Sequence, residues 1–217
     1  MTTKQDRTSR SPSLTERRKA ATQLDIARAA AELFADKGPD GTTAEEIAGR
    51  AGVALRTFYR YFRNKQDAVG PLLSSGGDRW RALLAETAPG PGPGADLARA
   101  IESAAVASLS PQDDVGAEGL RWTRGLLRAA ENDPALRAVW CQVNHDSEER
   151  LLPVLARLAG PDTDPLELRL VAAAATSAIR VSLEAWAASD ADTAESPAQL
   201  VVRCLRELTA GLPLLTR

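Results

Sequence analysis

The chain has 217 residues, 44% of them hydrophobic and 26% charged, enough to bury a core and unlike a disordered segment. Its net charge of −2 argues, taken as a whole, against a nucleic-acid partner. The distribution argues the other way: residues 1–66 hold 13 Lys/Arg against 8 Asp/Glu and the remainder 14 against 21, as in a basic head that meets phosphate joined to an acidic body.

Ala, Leu and Arg dominate, and β-branched residues rarely alternate with polar ones, so an all-α chain is expected. Residues 1–15 are Ser/Thr/Arg-rich without periodicity and read as a disordered basic tail. From Glu16 to Lys37 the pattern is helical, with Leu24, Ala27, Ala31 and Phe34 on one stripe widened by Ile26, Ala30 and Leu33. Gly38 is a plausible end of that helix, and Pro39-Asp40-Gly41 supplies a turn.

Thr43-Ala44-Glu45-Glu46 has the form of a capping box that opens a second helix, with Ala44, Ile47, Ala48 and Ala51 as its apolar face. Gly52 stands where a tight turn needs positive φ. A short helix is predicted over residues 55–61 and a third element from about Asn64-Lys65. Pro71 and the pair Gly76-Gly77 predict a kink or two pieces between Asp67 and Glu86. Residues 88–95 (APGPGPGA) read as a linker. Helices are predicted at roughly 95–110, 116–132, 134–159, 165–189 and 197–212.

Helix, glycine turn, helix is the arrangement that lets one short helix enter the major groove while its neighbour braces it. Val53, Phe58 and Phe62 suit the inward side of that short helix. Arg56, Tyr59, Arg60 and Arg63 lie at i, i+3, i+4 and i+7, so they share the outward side. Three arginines and a tyrosine without an acidic partner fit phosphates and base edges. A merely solvated face is the alternative for the arginines, and a core position the alternative for Tyr59.

The segments LFADKGPDGTTAEEIAGRAGV and RTFYRYFRNKQDAV, within Ala27 to Ala68, resemble the DNA-binding head of the TetR family of repressors. That resemblance implies a three-helix helix-turn-helix head on residues 16–66 and a C-terminal effector-binding and dimerisation bundle on residues 67–217. It makes Leu55, Arg56, Thr57, Tyr59 and Tyr61 groove-facing residues, and Thr43 and Lys65 phosphate contacts at helix N-termini. One departure stands out: the family commonly has Ser or Thr where this chain has Ala54, so the recognition helix lacks its usual cap.

The resemblance further implies a homodimer on a palindromic double-stranded DNA operator, with a four-helix interface formed by the last two long helices of each subunit. Val201, Cys204, Leu205 and Leu208 make a helical stripe, and Val171, Ala172, Ala175, Ala178, Ile179 and Leu183 a face rich in small residues; an intramolecular core has the same look. Trp122, Leu126, Trp140, Arg180 and Trp186 are the candidate ligand-binding residues, suited to a small hydrophobic or amphipathic effector. The segment ENDPALRAVW and the helices after it resemble the TetR subgroup with acyl-CoA-like ligands.

With Cys141, Cys204 and His145 the only residues of their kinds, neither a disulfide scaffold nor a zinc site is expected, and no cofactor. No apolar run reaches the ~18 residues of a membrane span, and residues 1–19 lack the apolar centre of a secretory signal. The cytoplasm is the expected compartment. An enzyme is not expected: no nucleophile–base set or phosphate loop is present, and Asp113-Asp114 and Glu148-Glu149 are adjacent pairs that diverge on a helix. A helical interaction or membrane-surface protein is the remaining alternative, and it calls for a broad apolar face opposite a continuous basic one.

Overall fold

The computed structural model describes residues 13–87, 95–189 and 195–216. Among these the regular elements are all helical. In chain order they are α1 (Leu14–Lys37), α2 (Ala44–Arg50), α3 (Leu55–Tyr61), a 3-10 turn (Asp67–Val69), α4 (Gly70–Glu86), α5 (Ala95–Leu109), α6 (Asp114–Ala130), α7 (Pro134–Ala159), α8 (Pro165–Ala188), α9 (Pro197–Thr209) and α10 (Pro213–Thr216). The expected tail and the linker fall outside the described residues except at their ends, residues 13–15 and Ala95.

Helix α1 starts two residues before the sequence pattern predicts, because Ser13 and Glu16 form a capping box. The Glu16 amide donates to the Ser13 hydroxyl (3.2 Å) and the Ser13 amide to the Glu16 carboxylate (2.7 Å). At its other end Gly38 has φ 74°, and the buried Thr42 hydroxyl donates to the Gly38 carbonyl (2.9 Å) and the Leu33 carbonyl (3.3 Å), fixing the turn against the end of the helix. Helix α2 opens on the predicted capping box, with the Glu46 amide donating to Thr43 Oγ1 (3.2 Å) and the Thr43 amide to the Glu46 carboxylate (2.8 Å).

Helix α2 closes on Gly52, whose φ is 66°. The Val53 amide reaches back to the Ala48 carbonyl (2.9 Å) and the Gly52 amide to the Gly49 carbonyl (3.1 Å), the paired bonds of a Schellman ending that turns the chain sharply into α3. Ile26, Phe34, Ile47, Phe58 and Phe62 lie in the core that holds α1, α2 and α3 together.

Two expectations are corrected downstream of α3. The element predicted from Asn64-Lys65 begins at Asp67, after a turn over residues 64–66 in which the Asp67 amide donates to Asn64 Oδ1 (2.8 Å). The predicted break in the following helix is absent, and α4 runs unbroken from Gly70 to Glu86. Pro71 sits in its first turn, where an amide hydrogen has no intrahelical partner to lose. Gly77 serves packing instead: a Cβ there would stand 3.0 Å from Ser147 Oγ of α7, so its absence lets α4 and α7 approach closely.

Beyond the head, α4 packs on α5 and α7, α7 on α8, α6 on α7 and α8, and α8 on α9. The apolar face Val171, Ala172, Ala175, Ala178 and Leu183 of α8 is buried within the chain, as are Val201 and Leu205 of α9, while Leu208 is exposed. Among the described residues no helix is long and apolar enough to cross a membrane.

Ala54 precedes α3 with extended backbone angles (φ −68°, ψ 146°) and no side-chain cap, the conformation in which a serine hydroxyl would accept from the free amides. Ala54→Ser is expected to stabilise the chain by about 1 kcal/mol, read as a higher urea midpoint with an unchanged slope. No shift would mean that the entry to α3 is already satisfied by other means.

Candidate nucleic-acid interface and ligand cavity

Helix α3 is divided by burial. Phe58 is fully buried and Phe62 nearly so, their rings 5.7 Å apart at centroid, and Val53, Leu55 and Tyr61 are half-buried against the same core. Arg56, Tyr59, Arg60 and Arg63 face solvent and Thr57 lies between. Tyr59 is 53% exposed, with its ring edge-on to Phe58 at 5.3 Å. Arg56, Arg60 and Arg63 make no ion pair with a carboxylate among the described residues. Arg60 instead lies over the Tyr61 ring (4.8 Å) and donates to its hydroxyl (3.1 Å).

The two residues assigned to phosphate have partners within the chain. Thr43 caps α2 beside Glu46, and the Lys37 ammonium and then the Thr43 amide hold the Glu46 carboxyl down to about 2. Lys65, half-buried, donates through Nζ to the Thr42 carbonyl (3.0 Å). It thereby ties the exit of α3 to the α1–α2 turn and keeps two further ammonium hydrogens for other acceptors.

In the body, α4, α6, α7 and α8 surround a cavity of about 1150 Å³ that opens toward α1. Leu73, Trp80, Val139, Trp140, Ile179 and Leu183 supply apolar wall. Of the five candidate ligand residues only Trp140 lines it. Its indole N–H donates to Glu184 (2.7 Å), whose other oxygen accepts from Arg180 (2.8 Å), so Arg180 reaches the wall only through Glu184. Trp186 carries the Arg124 guanidinium over its ring (4.9 Å), Leu126 is core, and Trp122 packs half-buried against that core. Cys141 and Cys204 are free thiols.

Residues 26–69 match the family described as "Bacterial regulatory proteins, tetR family", and residues 96–213, more than half of the chain, match "MftR C-terminal domain". The HTH-type transcriptional regulator TcmR of Streptomyces glaucescens is 30% identical over 155 residues, 70% of this chain and 67% of that protein. The chain belongs to the TetR family of transcriptional regulators. A second relative, the HTH-type transcriptional repressor Rv3405c of Mycobacterium tuberculosis, is 36% identical over 80 residues, 35% of this chain and 43% of the repressor.

Solved structures share the TetR fold along nearly the whole length. A TetR-family regulator of Rhodococcus sp. superimposes with a TM-score of 0.55 at 17% identity over 88% of this chain and 99% of its own. The regulator FadR of Bacillus subtilis, crystallised with stearoyl-CoA, gives 0.52 at 22% identity over 87% and 98%. The TetR family is one of DNA-binding regulators, not of enzymes.

In this TetR chain one polar contact joins the α3 exit to the body. Gln66 Nε2 donates to Asp133 Oδ2 (3.1 Å), and Asp133 Oδ1 accepts from the amides of Ala135 (2.8 Å) and Leu136 (3.1 Å) at the start of α7. Burial pushes the Asp133 carboxyl up, but the hydrogen bond from Gln66, those from the Leu136 and Ala135 amides and the charge of Lys65 together hold it below its ordinary 3.8. Sequence reasoning missed this pair and missed Trp80. Leu73, Gly77 and Trp80 recur at i, i+4 and i+7 along the wall, a helical signal hidden by the expected break at Gly76-Gly77.

The Asp133 carboxylate stabilises the fold fully above the unfolded value of 3.8, and that contribution is lost as pH falls through the lower native value. Asp133→Asn keeps a capping acceptor and cannot titrate. It is expected to lose less stability than the parent on acidification below 3.8, measured by urea unfolding at stepped pH; parallel losses would count against the carboxylate.

Proposed function

We propose that this regulator is a homodimeric, ligand-responsive repressor in the cytoplasm. On this reading it holds a palindromic operator through α3 and is released when a small apolar or amphipathic molecule fills the body cavity. The observation that carries the reading is the solvent-facing set Arg56, Tyr59, Arg60 and Arg63, unpaired with acid, on a short helix whose other side is sealed by Phe58 and Phe62. Exposed guanidinium groups without an acidic partner keep donors for phosphate and guanine edges, Arg60 beyond the one it gives to Tyr61. Leu55, Thr57 and Tyr61, half-buried at the flanks, contribute shape and apolar contact. Thr43 and Lys65 meet the backbone, Lys65 through the ammonium hydrogens left over from its bond to the Thr42 carbonyl.

Pairing of heads follows from symmetry: two half-sites roughly 34–36 Å apart need two copies of α3. The buried small-residue face of α8 is spent inside the subunit, so a different face serves the dimer. Leu166, Leu170 and Val181 are exposed large apolar residues of α8 that share one side with Ala173 and Ser177 at helical spacing, and the exposed Leu208 lies on α9, which packs against α8. Small residues between larger apolar ones permit close approach of a second copy. The membrane-surface alternative has no comparable support: in the described head only Leu14 and Tyr59 are exposed large apolar residues.

Ligand acts by linkage, favouring a head separation unfit for the operator without touching DNA. With an operator found by selection from random duplexes, Arg56→Ala is expected to cost about 1–3 kcal/mol at one base position and to relax specificity there. Lys65→Ala is expected to weaken all duplexes alike and to reduce the salt slope by about one unit. Duplex titrations across a salt series check both, and uniform weakening by Arg56→Ala or an unchanged slope for Lys65→Ala counts against the assignment. Leu170→Glu is expected to yield folded monomers with operator affinity reduced by at least about tenfold, read by sedimentation beside the titration.

A further inference from the structure

The cavity wall carries two polar groups with nothing to bond. Among the described residues Trp80 Nε1 on α4 and Thr176 Oγ1 on α8 have no hydrogen-bond partner; both residues, 1% and 5% exposed, line the cavity, and the two atoms lie just behind its surface, so an acceptor in the cavity reaches them once the side chain turns. Native chains leave few such groups. The neighbouring wall shows the usual outcome: Trp140, 6% exposed, gives its indole N–H to Glu184, and the lining hydroxyls of Ser108 and Thr123 donate to the Ala105 and Gly119 carbonyls (2.8 and 2.9 Å).

Charge is kept to the rim. Arg63, Asp67, Asp78, Arg79, Asp113, Asp146 and Arg150 all line the cavity, yet none is buried. Arg150 pairs with both Asp78 (3.6 Å) and Asp146 (4.0 Å). A carboxylate or ammonium carried deep inside would shed its water and find no counter-ion. An oxygen acceptor would find donors, since an indole N–H only donates and a threonine hydroxyl donates or accepts.

We propose that the cavity selects an uncharged, largely apolar molecule bearing a carbonyl-type oxygen, for which Trp80 Nε1–H and Thr176 Oγ1–H are the donors. This rests on the reading of the cavity as the effector site and adds the chemistry it reads. A hydrocarbon of the same shape gains the same burial but leaves both groups unpaired, and a site that donates discriminates strongly on that ground. Trp80 also belongs to the helix that continues from the head, so an oxygen held there acts on the element that carries α3.

The test uses the full chain and two matched sets on common frames: fluorene, fluorenone and fluorenecarboxylate, then pentadecane, pentadecan-8-one and pentadecanoate. Binding is read by calorimetry and thermal shift, and operator release is read separately by fluorescence anisotropy. In at least one set the ketone is expected to bind on the order of tenfold tighter than its hydrocarbon, with the carboxylate weakest. Trp80→Phe and Thr176→Val should each shrink the ketone preference while hydrocarbon binding persists. Thr176→Val keeps side-chain shape, so it carries the test if Trp80→Phe does not fold. Equal ketone and hydrocarbon affinities, a preferred carboxylate, a preference indifferent to the substitutions, or no binding by either ketone overturns the proposal. Ketone binding without operator release instead overturns the repressor mechanism and leaves the ligand class standing.

Discussion

Burial of Phe58 and Phe62 on one side of a seven-residue helix is the constraint on which the head turns. Alone, a helix that short is marginal in water, and this one starts without a side-chain cap. It is held by the two rings inserted beside Ile26, Phe34 and Ile47, and by the hydrogen-bonded turn at Gly52 that sets its direction. Once the rings are fixed, the 100° spacing of the helix leaves Arg56, Tyr59, Arg60 and Arg63 no inward option. The arginines are outward because the phenylalanines are inward, and their freedom from acidic partners follows from the lack of acids on α3.

The same dependence runs on into the body. Lys65 grips the Thr42 carbonyl, Gln66 the Asp133 carboxylate, and Ala68 and Val69 are fully buried before α4 begins. A short run after α3 thus contacts the α1–α2 turn, the start of α7 and the core in succession. That continuity places α3 and one wall of the cavity at the two ends of a single packed passage, through which the proposed ligand response would run.

What was legible in the sequence was local. Thr43 and Glu46, Gly38 and Gly52, and the residues of α3 each signal through chemistry confined to a few positions, and the helices from 134 onward start where Pro134, Pro165 and Pro197 stand. What was hidden depended on partners far along the chain. Gly76-Gly77 reads as a break until Ser147 is known to lie against it. Leu126 and Trp186 read as ligand contacts until the placement of α6 against α8 turns them elsewhere, and the small face of α8 carries no mark of whether its neighbour belongs to the same subunit. Ser13 with Glu16 was a local signal that went unread because it sits beside a polar tail.

The near-contact at Gly77 bears on how the range of accepted molecules is set. The wall between α4 and α7 stands at a separation that a missing methyl allows, so the breadth of the chamber there is governed by how far apart two backbones rest rather than by the bulk of the side chains lining it. A side chain at Gly77 would first meet the Ser147 hydroxyl, and only one too large for that hydroxyl to turn away from would act as a spacer between the helices. On the proposed function, a wedge of that kind would also press on the helix that follows the head, joining ligand breadth to the grip on DNA at one position.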